Sequence, residues 1–574
     1  MVGKIKKCVC LFKTNKKRGY NYFRWLLKYT SPYKWKIAFL MAIQIGLTYL
    51  SIYYAIISQR VVDSAGKGQI NTVLFALYAM LAISQLLIIE GTNLMSAMLN
   101  EKYSFGIRKQ IYEKILHSTW EDSQRFHTGD MMTRMTSDAG NIATGMVSTV
   151  PHIIILVVQL VSFFFTLFHY SHFLAVAALF LTPFGLLFSW ILGKKLKKLQ
   201  VKVQETETNY RSFIQESLAN LLVVKAFSAE DDFSGKLTVL RNERFFWVWK
   251  KNIVSSAATV VLNGTFSIGM MIAFIYSAIG ISKGTITFGI LTLTMTLFGR
   301  IQTPIMGIAS QFSQLATIFA SAGRVIEIQN FHNESIGNEP NLKGSIGVQL
   351  NNVSFSYKGK ESSKEVLSNV NIDIEPGESI AIVGKSGVGK TTLVRLIMHF
   401  LEPLHGNIVF YDCFKNSYKS TGTIRKRISY VPQGNTLFSG TILENLKLAN
   451  KNASMKEIDE ALHIAVCDEF ISKLPNGLNT KIGEKGSGLS EGQAQRIAIA
   501  RALLRKSPFI VFDEATSALD EDTEIELLKN LNSLVDKPTC LLITHRKAVL
   551  KYCNKEICIK EGKVSLSEVE EISA

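Results

Sequence analysis

Gly384-Lys385-Ser386-Gly387-Val388-Gly389-Lys390-Thr391-Thr392 is the stretch on which the reading of this chain turns. Its spacing is that of a phosphate-binding loop, G-x-x-x-x-G-K-T. The apolar run Ser379–Val383 before it reads as a buried parallel strand. Leu393–Met398 after it reads as the opening of a helix. Strand, glycine loop and helix are the context the motif needs, and they count against a chance glycine-rich turn. Glycines let backbone N–H groups turn toward phosphate oxygens, and a helix N-terminus adds positive potential there. In that arrangement Lys390 reaches the β- and γ-phosphates and the Thr391 hydroxyl takes a place on Mg²⁺.

Downstream, Pro508–Phe512 is an apolar strand that ends in two carboxylates, Asp513 and Glu514. Asp513 at the strand tip is placed to hold the Mg²⁺ shell. Glu514 beside it is placed to polarise a water. Between the loop and this strand lie Tyr430-Val431-Pro432-Gln433-Gly434 and Leu489-Ser490-Glu491-Gly492-Gln493, the latter opening a helix over Ala494–Arg505. Ser517-Ala518-Leu519-Asp520 follows the carboxylates, and Thr544-His545-Arg546 ends the apolar strand Thr539–Ile543. From about Ser345 the pattern is soluble α/β. Val348, Leu350, Val353, Phe355 and Tyr357 nearly alternate, as a half-buried strand does. Strands that alternate with helices imply a mostly parallel sheet covered on both faces.

At 574 residues the chain needs at least two cores. Only 19% of residues are charged and the mean hydropathy is +0.17, values that lean toward a membrane protein. The formal net charge of +18 fits the positive-inside rule better than nucleic-acid binding, because Lys and Arg cluster in particular loops. Seven cysteines form no C-x-x-C pair, so zinc and redox motifs are unsupported. Free thiols in a reducing compartment are the simpler reading.

The first half holds six apolar stretches of spanning length, near Ile37–Ile57, Val73–Leu94, Ile153–Phe168, Phe173–Leu192, Val260–Ile281 and Ile286–Ile308. The loops between them alternate. Those near Ser58–Asn71, Tyr170–His172 and Ser282–Thr285 are short and carry few positive charges, while Glu101–Ser148 and Gly193–Asn252 are long and basic. The long ones, and both termini, are therefore expected on the cytoplasmic face of the cell membrane. The basic, aromatic segment 1–34 suits an interfacial helix or a flexible tail. Domains are expected at 35–325 for the membrane part, 326–344 for a linker and 345–574 for the α/β part. Ionisable groups inside spans are functional candidates by default. Glu90 is the sharpest, with Gln85 and Asn93 near it at helical spacing. They read either as lining of a translocation cavity or as interfacial groups satisfied by water.

The whole chain resembles an ATP-binding-cassette exporter half-transporter, a six-helix all-α membrane domain fused to an α/β P-loop nucleotide-binding domain. Leu489-Ser490-Glu491-Gly492-Gln493 resembles the family's signature motif. The order of loop, Gln433, signature, carboxylate pair, Asp520 and His545 is specific to it. Phe126–Arg134 and Val223–Phe227 resemble, more loosely, stretches near the exporter coupling helices. The resemblance implies two cassettes closing head-to-tail on two ATP molecules, with Mg²⁺ as cofactor. The loop residues Gly384 to Thr392 would face Ser490, Gly492 and Gln493 of the other cassette. Tyr357 would stack on adenine, Thr391 and Asp513 would hold the metal, and Gln433 would bind Mg²⁺ or water and sense the membrane domain. Glu514 would be the general base, His545 would contact the γ-phosphate, and Asp520 would cross the interface. Every part is present in one chain, so a homodimer is the simplest assembly and a heterodimer the alternative. Glu491 departs from the family's usual glycine. A carboxylate in the first turn of a helix is favourable and can point away from phosphate. The expected activity is ATP-driven export, and the signature helix resembles those of exporters of antimicrobial or modified peptides and of multidrug relatives. A lipid flippase or an ATP-gated regulator would share most of these motifs. About 35 residues precede the first span, which leaves no room there for the peptidase domain of some peptide exporters.

Overall fold

A computed structural model describes residues 22–69, 71–357 and 365–569. The expected basic N-terminal segment lies outside the described residues up to Asn21. The chain divides into two compact units: one is formed by residues up to Glu113 with Thr128–Asn330, the other by Lys114–His127 with Phe331 onward.

The first unit is helical. Its long helices are α1 (Lys34–Gly66), α2 (Thr72–Leu116), α3 (Val150–Tyr170), α4 (His172–Ala219), α5 (Glu230–Ser282) and α6 (Phe288–Gln329). Among the described residues, four helical stretches are long and apolar enough to cross a membrane: Tyr22–Gly66, Thr72–Leu116, Thr128–Tyr170 and Glu230–Ser282. The other two expected spans fall within α4 and α6. At 1.5 Å per residue the 53 residues of α5 run to about 80 Å, well beyond a hydrocarbon core of about 30 Å. The helix ends are set by their caps. Ser171 accepts from Leu174 N at the start of α4, and Thr287 from Ile290 N at the start of α6. Gly289 N–H donates to Asp63 Oδ1 at 2.8 Å, which ties the end of α1 to the start of α6. A Cβ at Gly289 would lie 2.3 Å from Gln59 O, so only glycine permits this approach.

Among the described residues of this unit two charged groups are buried, Arg134 and Asp138. Asp138, 1% exposed, lies in a π turn, Arg134–Asp138, within the stretch Thr128–Tyr170. It accepts from Arg324 Nε at 2.7 Å, Arg324 Nη2 at 2.5 Å and Ser321 Oγ at 2.8 Å. Arg134 reaches Glu327 at 2.8 Å and Asp130 at 3.0 Å. A buried carboxylate so bonded avoids the cost of an unpaired charge.

The second unit is α/β. Strands β1 (Ile346–Phe355), β2 (Leu367–Ile374), β4 (His405–Asp412) and β5 (Ser417–Lys419) form an antiparallel sheet in the order β2-β1-β4-β5. A six-stranded sheet takes β3 (Ser379–Val383), β6 (Ile428–Val431), β9 (Phe509–Asp513), β10 (Thr539–Ile543), β11 (Lys555–Lys560) and β12 (Lys563–Glu568), in the order β12-β11-β3-β10-β9-β6. A two-stranded ribbon joins β7 (Gly440–Thr441) to β8 (Lys481–Ile482). All pairings from β11 to β6 are parallel. Alternation divides the apolar strands between two cores. Phe509, Val511, Leu541 and Ile543 face one core; Ile510, Phe512, Cys540 and Leu542 face the other. Three helices matter for the site: α7 (Lys390–Ile397), α8 (Glu491–Leu504) and α9 (Glu521–Asn532).

The insertion Lys114–His127 packs in this unit through the chain near residue 333. Thr119 N donates to His332 O and Glu334 N to His117 O, both at 3.0 Å, around a bridge between Ser118 and Asn333. Asp122 is 2% exposed and accepts from His332 N at 2.7 Å, with Arg125 at 2.8 Å.

Candidate functional site

Parallel strands end at one edge of their sheet, so the residues that follow them meet. Ile543 is level with Ile382 on one side and with Asp513 on the other. The glycine loop after β3, Gln433 after β6, Glu514 after β9 and His545 after β10 therefore converge. Lys390 Nζ donates to Gly384 O at 2.7 Å and meets His545 Nε2 at 2.8 Å. With Lys390 charged, Nε2 accepts and the imidazole proton sits on Nδ1. Glu514 Oε2 accepts from Gln433 Nε2 at 2.6 Å, and Oε1 lies 3.3 Å from His545 Nε2.

The loop itself depends on glycine at several points. Gly384, Gly387 and Gly389 have φ of 154°, 80° and 113°. At Gly389, the residue before α7, a Cβ would also press on Val366 Cγ1 at 3.2 Å. The backbone is thus free to present its N–H groups, with Lys385, Ser386 and Gly387 exposed at the tip and Val388 tucked against the core. Burial pushes the Lys390 ammonium below the ordinary lysine value, against the pull of Glu514 and Asp513. A lysine so desolvated offers its charge to an anion with little water to displace.

Asp513 is 3% exposed, and burial raises its carboxyl above the usual range, partly offset by the hydroxyl of Tyr430. Tyr430 Oη donates to Asp513 Oδ2 at 2.9 Å. Oδ1 makes no hydrogen bond among the described residues. Gln433 spends its amide N–H on Glu514, which leaves its Oε1 as an acceptor. Carboxylate, hydroxyl and amide oxygens are hard ligands that fit Mg²⁺, which takes few protein ligands and shares the rest with phosphate and water. No cluster of three or more His, Cys, Asp or Glu able to hold a metal occurs among the described residues. Glu514 has φ of 50°, a left-handed backbone rare for a residue with a side chain and often found where function requires it.

The remaining candidates stand elsewhere. Tyr357 is half-exposed and hydrogen-bonds Thr392 Oγ1 at 3.1 Å, beside Thr391 at the head of α7. Ser490 caps α8 through a capping box with Gln493, and the exposed Glu491 sits in its first turn, where the helix dipole favours it. Asp520 caps α9, accepting from Thr523 N at 3.0 Å and Oγ1 at 2.8 Å. Those hydrogen bonds hold its carboxyl below the usual range. No hydrogen bond or ion pair among the described residues joins the Ser490–Gln493 group to the Lys390 group. In α2, Glu90 and Asn93 are exposed and Gln85 half-buried, and their side chains bond no other described residue. Glu90 stands eighteen residues into α2, about 27 Å along its axis.

Several residues at the site escape the sequence reading. Tyr430 lies in the quoted stretch around Gln433. Its register with Val511 puts it on the same sheet face as Asp513, a relation that only the strand pairing reveals. Gln495, one turn into α8, bonds Ser517 Oγ at 3.4 Å and Ala518 N at 3.1 Å, linking the two downstream motifs. In the helical unit Arg300 donates to Ser51 O at 3.2 Å from within an otherwise apolar stretch.

Comparison with known proteins gives matches over both units. The family model described as ABC transporter transmembrane region matches residues 37–305, and the one described as ABC transporter matches residues 367–517. The chain is 32% identical over 487 residues to a putative export ATP-binding/permease protein of Rickettsia typhi, with 81% of each chain covered. It is 28% identical over 475 residues to an ATP-dependent lipid A-core flippase of Syntrophus aciditrophicus, covering 82% of this chain and 78% of that one. It is 30% identical over 476 residues to a multidrug resistance-like ATP-binding protein of Buchnera aphidicola, covering 81% and 80%. Among solved structures, a bacterial Atm1-family ABC exporter with ATP bound has the same fold, with a TM-score of 0.76 at 22% identity over 94% of this chain and 95% of that one.

Proposed function

Because the chain belongs to the ABC transporter family, as an exporter whose membrane and ATP-binding parts are fused and whose ATP hydrolysis is coupled to transport, we propose that it works as a homodimer with two equivalent ATP sites. The observation that carries this reading is the meeting of Lys390, Gln433, Glu514 and His545 at one sheet edge, joined by contacts of 2.6–3.3 Å. In this reading the glycine loop and Lys390 bind the β- and γ-phosphates, and Tyr357 takes the adenine. Thr391, Asp513 and Gln433 hold Mg²⁺, whose charge offsets that of the phosphates. Glu514 orients the attacking water and accepts its proton, with the Gln433 amide holding the carboxylate, and His545 contacts the γ-phosphate. Ser490, Gly492 and Gln493 cap the γ-phosphate of the second copy, and Asp520 stands at the junction. Both termini face the cytoplasm.

The exported substrate is read as a peptide or an amphipathic small molecule, with Glu90, Gln85 and Asn93 lining part of its path. Similarity to a lipid A-core flippase supports a second reading, a lipid flippase. ATPase stimulation in proteoliposomes by peptides, lipids or cationic drugs separates the two.

Substitution of Glu514 tests the site. Glutamine keeps the shape but takes no proton. Loss of a general base typically costs about 10²–10⁴-fold in rate. Glu514→Gln is expected to bind ATP normally and to turn over at about a hundredth of the wild-type rate or less. Lys390→Ala is expected to weaken ATP binding itself. Single-turnover hydrolysis and nucleotide affinity, measured on both, decide it. Near wild-type hydrolysis by Glu514→Gln would remove the general-base assignment.

A further inference from the structure

We propose that Trp120, Phe400 and Tyr430 form an aromatic relay through which the inserted segment Lys114–His127 sets the position of Asp513; this rests on the reading of Asp513 as a Mg²⁺ ligand. Trp120 and Phe400 meet with ring centroids 5.5 Å apart, and Phe400 and Tyr430 at 6.4 Å. Tyr430 then donates its hydroxyl to Asp513 Oδ2 at 2.9 Å. Each member of the series touches the next, from the segment's first helical residue to the carboxylate.

Phe400 is held at the hub by backbone as well as packing. Helix α7 ends in a Schellman motif: Phe400 N donates to Arg395 O at 2.8 Å and His399 N to Leu396 O at 3.0 Å. His399 occupies the left-handed position, φ 54°, where glycine is usual. The ring of Phe400 is thereby fixed to the far end of the helix whose first residue is Lys390. The Arg425 guanidinium lies over the same ring, 4.9 Å from its centroid, and Arg425 pairs with Glu334. Glu334 N is bonded in turn to His117 O at 3.0 Å, so the ring is gripped from two points that lead back to the inserted segment. Trp120 has room to tilt. Beside it lies a cavity of about 450 Å³ also lined by Tyr357 and Arg395. A tilt of the indole bears on Phe400 and, through it, on Tyr430, because packed rings do not deform.

Tyr430 is a positioning residue, since it acts on Mg²⁺ through Asp513 alone. Contiguity does not by itself establish coupling, so the test is a double-mutant cycle. The full-length protein in nanodiscs is titrated with Mg²⁺ at fixed trinitrophenyl-ATP, and binding is read by fluorescence. Tyr430→Phe keeps the ring and loses the hydroxyl. It is expected to raise the half-saturating Mg²⁺ about tenfold while Mg²⁺-free nucleotide binding stays as in the wild type. Trp120→Ala is expected to raise it about threefold, and Trp120→Phe to restore it. If the indole acts through the hydroxyl, the double variant Trp120→Ala/Tyr430→Phe shifts no further than Tyr430→Phe. Shifts that multiply to about thirtyfold mean two independent effects and overturn the relay. An unchanged Mg²⁺ dependence in Tyr430→Phe overturns it as well. The ATP-site reading is tested separately by Glu514→Gln and Lys390→Ala, so failure of either idea leaves the other standing.

Discussion

Asp122 shows how one buried carboxylate can organise a segment. Burial alone would raise its pKa; the N–H and ring of His332 and the Arg125 guanidinium outweigh that and hold it below the usual range. A depressed carboxyl contributes stability above its unfolded value, about 3.9, and loses it as pH falls through the lower folded value. Asp122→Ala leaves the His332 N–H without its acceptor and is expected to destabilise the α/β unit by about 1–3 kcal/mol at pH 7. The difference should shrink in denaturant unfolding carried out below about pH 3.9. An equal loss at all pH values would show that packing, and not the charge, matters there. Nothing in the sequence singles out Asp122 among the charges of its loop, because its partner lies 210 positions away. Lys390, Asp513 and Glu514 are legible for the opposite reason. Each is fixed by residues next to it in the chain, a glycine run or an apolar strand, and local chemistry is what a sequence displays.

At the scale of elements, the parallel strands are legible because burial on both faces leaves continuous apolar runs, as in Phe509–Phe512 and Thr539–Ile543. Their lateral order is not, since strand neighbours are set by packing between distant segments. The membrane helices are legible by length and composition, but the two π turns in Thr128–Tyr170 leave no mark in the periodicity. Helix α8 carries a prediction of its own. A Cβ on Gly492 would stand 2.8 Å from Ala518 O, a backbone atom that cannot swing aside. Gly492→Ala is therefore expected to cost about 1–3 kcal/mol through overpacking, quite apart from any contact with nucleotide. Thermal unfolding in the absence of ATP checks it, and an unchanged melting temperature would show that the backbone at Ala518 gives way without cost.

For the whole molecule, the proposed homodimer carries a prediction. The purified protein alone is expected to form dimers and to hydrolyse ATP cooperatively, as read by mass photometry and by the dependence of rate on ATP concentration. A monomer that stays inactive until a second, different polypeptide is added would overturn the homodimer. The hydrogen-bonded bridge between Ser118 and Asn333 bears on how such a protein can be taken apart. The backbone passes between the two units three times, after Glu113, after His127 and after Asn330. A fragment started at Phe331 would lack fourteen residues of its own unit, the difference between 113 and 127. It would leave His332 O and the N–H groups of His332 and Glu334 without the partners they have here, and would uncover the face of Phe400 that Trp120 covers. A fragment cut at the apparent linker is therefore expected to be stabilised when residues 114–127 are supplied back, for instance as a tethered peptide, and an unchanged melting temperature on adding them would show that these contacts contribute little.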